Sequence, residues 1–279
     1  MATDDNLVVQ GIRKVINELM ESVLHKVLVT DPFVPEEHHA RKPLYAALVP
    51  DEIFKGSHFE RRFVTPFGSA WERLAHVVAS AHLGISALQA SVEGNILGGR
   101  LKRIQEVLNA EDHATKGKKK RKPDWDEDLK YVLQGKGSPI PTTVVCDLLA
   151  EDVRTGKKFA FELKAPLPNS DQTKVSKEKM LKLMSMENHP VDQAFYGLVY
   201  NPYGARKDYA WSYPQKWFNI EKDKSLLIGD ELWDFLGGDG TYQNFIKEIN
   251  CLGVKYKEII YREYLKIEPL HEMMEINLK

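Results

Sequence analysis

Two segments decide the fold: Thr142–Asp152, TTVVCDLLAED, and Lys157–Pro166, KKFAFELKAP, separated by a turn that contains Gly156. In the second, Phe159, Phe161 and Leu163 alternate with Ala160, Glu162 and Lys164. Period two places the three apolar side chains on one face of a strand and brings Glu162 and Lys164 side by side on the other. In the first, Asp147 sits in the middle of an apolar run, where a carboxylate is costly unless it has a partner or a metal. A hairpin with Arg154-Thr155 as its two-residue loop sets Asp147 opposite Glu162, and one with Thr155-Gly156 sets it opposite Lys164. Both registers gather the three groups on one face, whereas a three-residue loop would scatter them. The plain alternative is an exposed pair on a solvent-facing strand, with Asp147 on an edge.

Outward from the hairpin, SDQTKVSKEKMLKLMSME (170–187) has helical spacing, and AFYGLVYNPYG (194–204) is a strand ending in a turn built by Asn201, Pro202 and Gly204. Toward the amino terminus, apolar residues recur at helical spacing from Leu7 to about Val29. An irregular stretch punctuated by Pro32, Pro35, Pro43 and Pro50 follows. A second helix is expected from near Gly68 to Leu83 with Glu72 in its first turn, and a third from about Ile96 to Leu108 carrying Arg100, Lys102 and Arg103. The run from Lys116 to Lys122 is expected to be a solvated loop, and Pro123-Asp124 a polar turn. From about Glu231 the chain is again helical, with Trp233, Phe235, Phe245, Ile246 and Ile249 as core candidates, and it finishes with an extended segment from Val254 to Tyr264.

The 279 residues, 43% of them apolar, suffice for one large domain or two modest ones, and exclude disorder for most of the chain. With 39 basic and 40 acidic residues the net charge is −1, so any nucleic-acid face must come from clustering. Two cysteines exclude a disulfide framework and a multi-cysteine zinc site. His38, His39, His76 and His82 lack zinc-site spacing and are expected to pack or face solvent. The acidic start MATDDNLVVQ and the lack of an apolar run near the roughly 18 residues that span a bilayer point to a soluble, cytoplasmic protein without membrane contact.

Asp147, fourteen intervening residues and then Glu162-Leu163-Lys164, followed by a helix and a strand, resemble the PD-(D/E)xK nuclease superfamily. More narrowly, ELKAPLPNSDQTKVSKEK and AFYGLVYNPYG resemble segments of type II restriction endonucleases that cut GGNCC or similar interrupted GC-rich sites. Cys146 stands where the superfamily motif has proline. The resemblance implies an α/β restriction-endonuclease-like core, a mixed sheet flanked by helices, with a helical N-terminal region. It implies one endonuclease domain over 1–279, in which 1–110 is mainly helical and 140–210 forms the catalytic core.

The chemistry implied is hydrolysis of a DNA phosphodiester. Asp147, Glu162 and the Leu163 carbonyl offer hard oxygen ligands for Mg²⁺, and Lys164 orients the attacking water or stabilises phosphate oxygens. Glu72 matches the auxiliary acidic residue that many superfamily members place near the metal, although the helix dipole alone would favour a Glu in a first turn. Arg206 is a candidate for bidentate guanine readout, with Lys207, Asn201, Arg103 and Lys174 as further DNA contacts. Lys177 and Lys179 are expected mostly on the helix surface. The expected partner is double-stranded DNA with a palindromic site, bound by a homodimer whose two active sites obey its twofold symmetry. The rival readings are another nuclease of the superfamily acting in repair, recombination or phage processing, and a DNA-binding module whose D...ExK has lost its catalytic function.

Overall fold

The computed structural model describes residues 2–112 and 121–270, so Lys116–Lys120 of the lysine run lie outside the described residues. By internal contacts the chain divides into two compact units, Met1–Leu74 with Gln243–Lys279, and Ala75–Tyr242.

The first unit is helical. Helix α1 (Ala2–His25) continues through a π-helical turn at Lys26–Thr30, close to the expected span, and buries Val8, Ile12, Val15, Ile16, Leu19 and Val23 along one stripe. Two short helices follow, α2 (Pro35–Arg41) and α3 (Pro43–Ala46), each with proline in its first turn, where the missing N–H costs nothing. The next helix, α4, spans Asp51–His82 rather than starting near Gly68, and it contains Pro66. Phe59, Phe63, Phe67 and Trp71, four residues apart, pack ring against ring along one face. That side-chain ladder keeps the helix intact through the proline. Glu72 is therefore well inside a long helix, and the first-turn dipole argument for it falls.

The second unit holds a mixed five-stranded sheet in the order β1-β2-β3-β4-β5. Strand β1 (Gly84–Leu97), which the sequence reading missed, leads into α5 (Gly98–Asp112). After α6 (Trp125–Leu133) come β2 (Pro139–Asp152) and β3 (Lys157–Lys164). Helix α7 (Ser170–Met184) then crosses over to β4 (Gln193–Leu198), followed by α8 (Ser212–Trp217), β5 (Leu226–Ile228) and α9 (Asp230–Gly237). β1, β2 and β3 pair antiparallel, and β3, β4 and β5 pair parallel. Finally α10 (Thr241–Ile259) runs into a π-helical turn at Ile260–Leu265, so Val254–Tyr264 is helical and not extended. There Tyr256 and Tyr264 are buried and donate hydrogen bonds to Asn17 and to the Lys55 carbonyl, respectively, anchoring helical geometry that the β-rich composition did not suggest.

β3 is covered on both sides, as expected of a strand in parallel pairing. Phe159 and Phe161 meet Phe195 and Phe235 on one side, while Ala160 joins Val144, Cys146, Leu183 and Met186 on the other. The β2–β3 ladder pairs Leu148 with Phe161 and Asp152 with Lys157, leaving Val153–Gly156 as a four-residue loop. This is the alternative that sets Asp147 opposite Glu162, reached through a longer loop than a two-residue hairpin.

One irregularity falls at the key residue. On β2, Cys146 and Leu149 pack into the same cluster three residues apart, which a strict period of two forbids. The alternation slips at Asp147, opposite Gln89 of β1, whose φ is +47°. A left-handed non-glycine residue within paired strands is the signature of a bulge-like kink.

Close backbone approach fixes the start of α5. Gly98 and Gly99 donate N–H bonds to the carbonyls of Ser138 (3.0 Å) and Lys136 (2.9 Å), and a Cβ on Gly99 would lie 2.1 Å from the Lys136 oxygen. Gly99→Ala is expected to destabilise the fold by about 3 kcal/mol, read as a lowered Tm. Gly68→Ala, in open space on α4, should be neutral or raise stability by about 0.5–1 kcal/mol.

Candidate active site

The β2–β3 ladder stops at Leu148–Phe161, and beyond it the Asp147 side chain replaces the missing main-chain acceptor: Oδ2 accepts from the Leu163 N–H at 2.8 Å. The Lys164 ammonium donates to the same oxygen at 2.7 Å and to the Leu163 carbonyl at 3.0 Å, and lies 3.7 Å from Glu162 Oε2. One cation therefore sits where two carboxylates and a main-chain oxygen converge. The hairpin brings together the three side chains expected from the sequence, with Asp147 8% and Glu162 2% exposed. That degree of burial rules out the exposed-pair alternative.

Burial is the main cause that pushes the Glu162 carboxylate above the ordinary range, with the nearby Asp147 charge adding to it, and Lys164 and Lys179 opposing it. Cys146, buried beside them, has its thiol pushed up to about 12 by desolvation, and it donates to the Ala90 carbonyl. It is a protonated packing group at neutral pH and not a nucleophile.

A hard dication fits these donors. Asp147 and Glu162 supply carboxylate oxygens, the Leu163 carbonyl a third, and Mg²⁺ commonly retains several waters. Among the described residues no group of three or more His, Cys, Asp or Glu could hold a metal; this set has two carboxylates and takes its third oxygen from the main chain. Glu72 belongs to the first unit, whereas Asp147, Glu162 and Lys164 belong to the second.

The expected DNA contacts divide. The Arg206 guanidinium donates to both Glu231 oxygens (2.7 and 2.8 Å) and to the carbonyls of Ile220 and Leu226, so it clamps β5 and α9 instead of presenting a fork to a base. Arg103 donates to the Tyr131 carbonyl at 2.7 Å and stacks on that ring, bracing α5 against α6. Lys174 pairs with Asp112 at 2.8 Å, and together with Lys216 it holds the Asp112 carboxyl well below the ordinary carboxylate range. The Asn201 side chain accepts from the Tyr203 N–H at 3.0 Å, which is the turn role. Lys207 is exposed on a short 3₁₀ turn, Arg206–Asp208. Pro123-Asp124 lies in an irregular segment outside any strand, and Asp124, with extended backbone, caps α6 by accepting from the Glu127 N–H.

On α7 the sequence reading passed over Ser176 and placed Lys177 and Lys179 on the helix surface. Ser176 donates to Glu162 Oε2 at 3.1 Å, and Lys179 donates to Oε1 at 2.9 Å. Lys177, expected on the surface, is 0% exposed and donates to both Glu111 oxygens, to Asp128 and to the Trp217 carbonyl. The available signal was the spacing: Thr173, Ser176, Met180 and Leu183 fall on one helical stripe, so polar residues enter the face turned to the sheet.

The mixed sheet with flanking helices and a helical N-terminal region defines a restriction-endonuclease-like α/β fold. The family model for type II restriction endonuclease, HinfI, matches residues 9–253, and the chain belongs to this family of site-specific endonucleases. The type II restriction enzyme HgiCII of Herpetosiphon aurantiacus is 24% identical over 229 residues, covering 80% of this chain and 82% of that enzyme. Among the described residues no helix is long and apolar enough to cross a membrane.

Proposed function

We propose that this chain is a Mg²⁺-dependent restriction endonuclease that hydrolyses double-stranded DNA at a palindromic, GC-rich site, working as a homodimer in the cytoplasm of a prokaryotic cell. The observation that carries the catalytic part is the convergence of Asp147, Glu162 and the Leu163 carbonyl on one ammonium group. Asp147, Glu162 and the Leu163 carbonyl would hold the ion. When bound, Mg²⁺ lowers the pKa of a water and offsets charge developing at the phosphorus.

The remaining roles belong to the chain. The Lys164 ammonium, on a flexible four-carbon stem, is within reach to orient the attacking water or to neutralise a nonbridging phosphate oxygen. Burial of Glu162 and Asp147 lowers the local dielectric, which strengthens each of these contacts. Lys207 is the exposed cation proposed to meet the DNA backbone, giving affinity rather than base choice. The GC-rich preference is supported by the ELKAPLPN and VYNPYG segments, and the dimer by the symmetry of a palindromic target.

Digestion of a phage genome in Mg²⁺, followed by end sequencing, tests the reading. Discrete fragments with one shared end sequence are expected. A smear would support another nuclease of the superfamily, and intact DNA a binding module.

A further inference from the structure

We propose that Ser176 and Lys179 of α7 form a clamp that positions the Glu162 carboxylate and sets how tightly the site takes a divalent cation. The inference rests on the reading of Asp147, Glu162 and the Leu163 carbonyl as the metal-binding oxygens. Ser176 donates to Oε2 at 3.1 Å and Lys179 to Oε1 at 2.9 Å. With one donor on each oxygen, the plane of the carboxylate is fixed as well as its location. Ser176 and Lys179 lie three residues apart on one face of α7 and so reach the same carboxylate together.

The division of labour between the two oxygens matters. Oε2 is the one 3.7 Å from the Lys164 ammonium, on the side where Asp147 and the Leu163 carbonyl converge. Ser176 occupies one lone-pair direction of Oε2 and leaves the other for a cation. Lys179 takes the far oxygen, Oε1, where it orients the carboxylate without competing for the metal position. The helix is itself immobilised from its opposite face by the buried Lys177 bonds to Glu111, Asp128 and the Trp217 carbonyl.

The sign of the effect separates positioning from simple charge. If Lys179 were merely a nearby positive charge, removing it would relieve repulsion and tighten cation binding. If it orients a ligand, its loss weakens binding, and outer-shell partners of this kind are typically worth about 10–100-fold in metal affinity or activity.

The test is Mn²⁺ binding to the full-length protein by titration calorimetry, together with the Mg²⁺ concentration for half-maximal cleavage. Lys179→Met is expected to weaken Mn²⁺ binding about tenfold and to raise the Mg²⁺ requirement by a similar factor, with DNA affinity unchanged. Lys179→Arg, which keeps a charged donor, should restore most of the loss. Ser176→Ala, which removes one hydroxyl, should weaken Mn²⁺ binding to a smaller but measurable extent. Mn²⁺ binding by Lys179→Met as tight as the parent's, or tighter, overturns the clamp. If that variant fails to fold, Ser176→Ala decides by the same titration, and unchanged affinity again overturns it. Parent-like Mn²⁺ binding by Glu162→Ala would instead overturn the metal reading itself; its loss there, with both clamp variants unaffected, would sink the clamp alone.

Discussion

Glu162→Ala is expected to lose cleavage by roughly a thousandfold or more, while specific DNA binding, measured by gel shift in Ca²⁺, stays within a few-fold of the parent. The asymmetry follows from position. Glu162 is 2% exposed and faces Asp147, Lys164 and α7, so a base edge has no route to it. On the proposed reading its carboxylate would hold the cation that offsets charge building at the phosphorus, a contribution made in the transition state that would therefore appear in the rate rather than in affinity. Asp147→Ala is expected to lose cleavage as well, but at an added stability cost of about 1–3 kcal/mol, since the Leu163 N–H and the Lys164 ammonium both lose their acceptor. Comparing the two variants by cleavage rate and Tm separates chemistry from folding. Binding that falls in step with cleavage for Glu162→Ala would contradict the assignment.

Lys177→Met should be the most destabilising single change, at about 3–5 kcal/mol, without touching the proposed chemistry directly. Lys177 is 0% exposed and supplies the ammonium shared by Glu111, Asp128 and the Trp217 carbonyl, with Arg121 adding a second cation on Asp128. Removing Lys177 takes this donor from the buried Glu111 and the Trp217 carbonyl and leaves Asp128 with Arg121 alone, and methionine fills the space without replacing the lost bonds. The pH dependence has a definite sign. Burial, with Asp128 beside it, pushes Glu111 from 4.5 up to about 8 in the folded protein. The unfolded state releases this proton earlier, so the contribution of Glu111 is full below about pH 4.5 and fades as pH rises toward 8. Without Lys177 the folded carboxyl holds its proton to still higher pH, so the deficit against the parent should widen above pH 8. Denaturant unfolding at pH 6, 8 and 9 measures it, and a deficit that narrows with pH would refute this account.

The hairpin was legible because two local signals coincide there: an acidic residue inside an apolar run, and an alternating strand that places Glu162 beside Lys164. α7 and β4 were legible for similar reasons. β1 was not, because GISALQASVEGNIL mixes small and polar residues and buries little of its length, so neither period stands out. The full extent of α4 was hidden by Pro66, whose breaking tendency is overridden by the Phe59–Phe63–Phe67–Trp71 ladder. Within the site, Ser176 was passed over and Lys179 was placed on the helix surface because a helical Ser and Lys carry no motif; only the tertiary position of α7 gives them a carboxylate to hold. Arg206 shows the converse. Its chemistry suits guanine, but Glu231 and two carbonyls engage it first, and no spacing rule reveals such competition.

The kink at Gln89 reaches beyond the catalytic face. β1 is an outer strand of the sheet and is 14 residues long, a length at which a flat, unpaired border is an open template for a foreign chain. The left-handed residue at Gln89 interrupts the regular extended backbone of that border. The irregularity that lies across from the buried Asp147 thus also makes β1 a poorer template for fibril-like stacking of one molecule against the next.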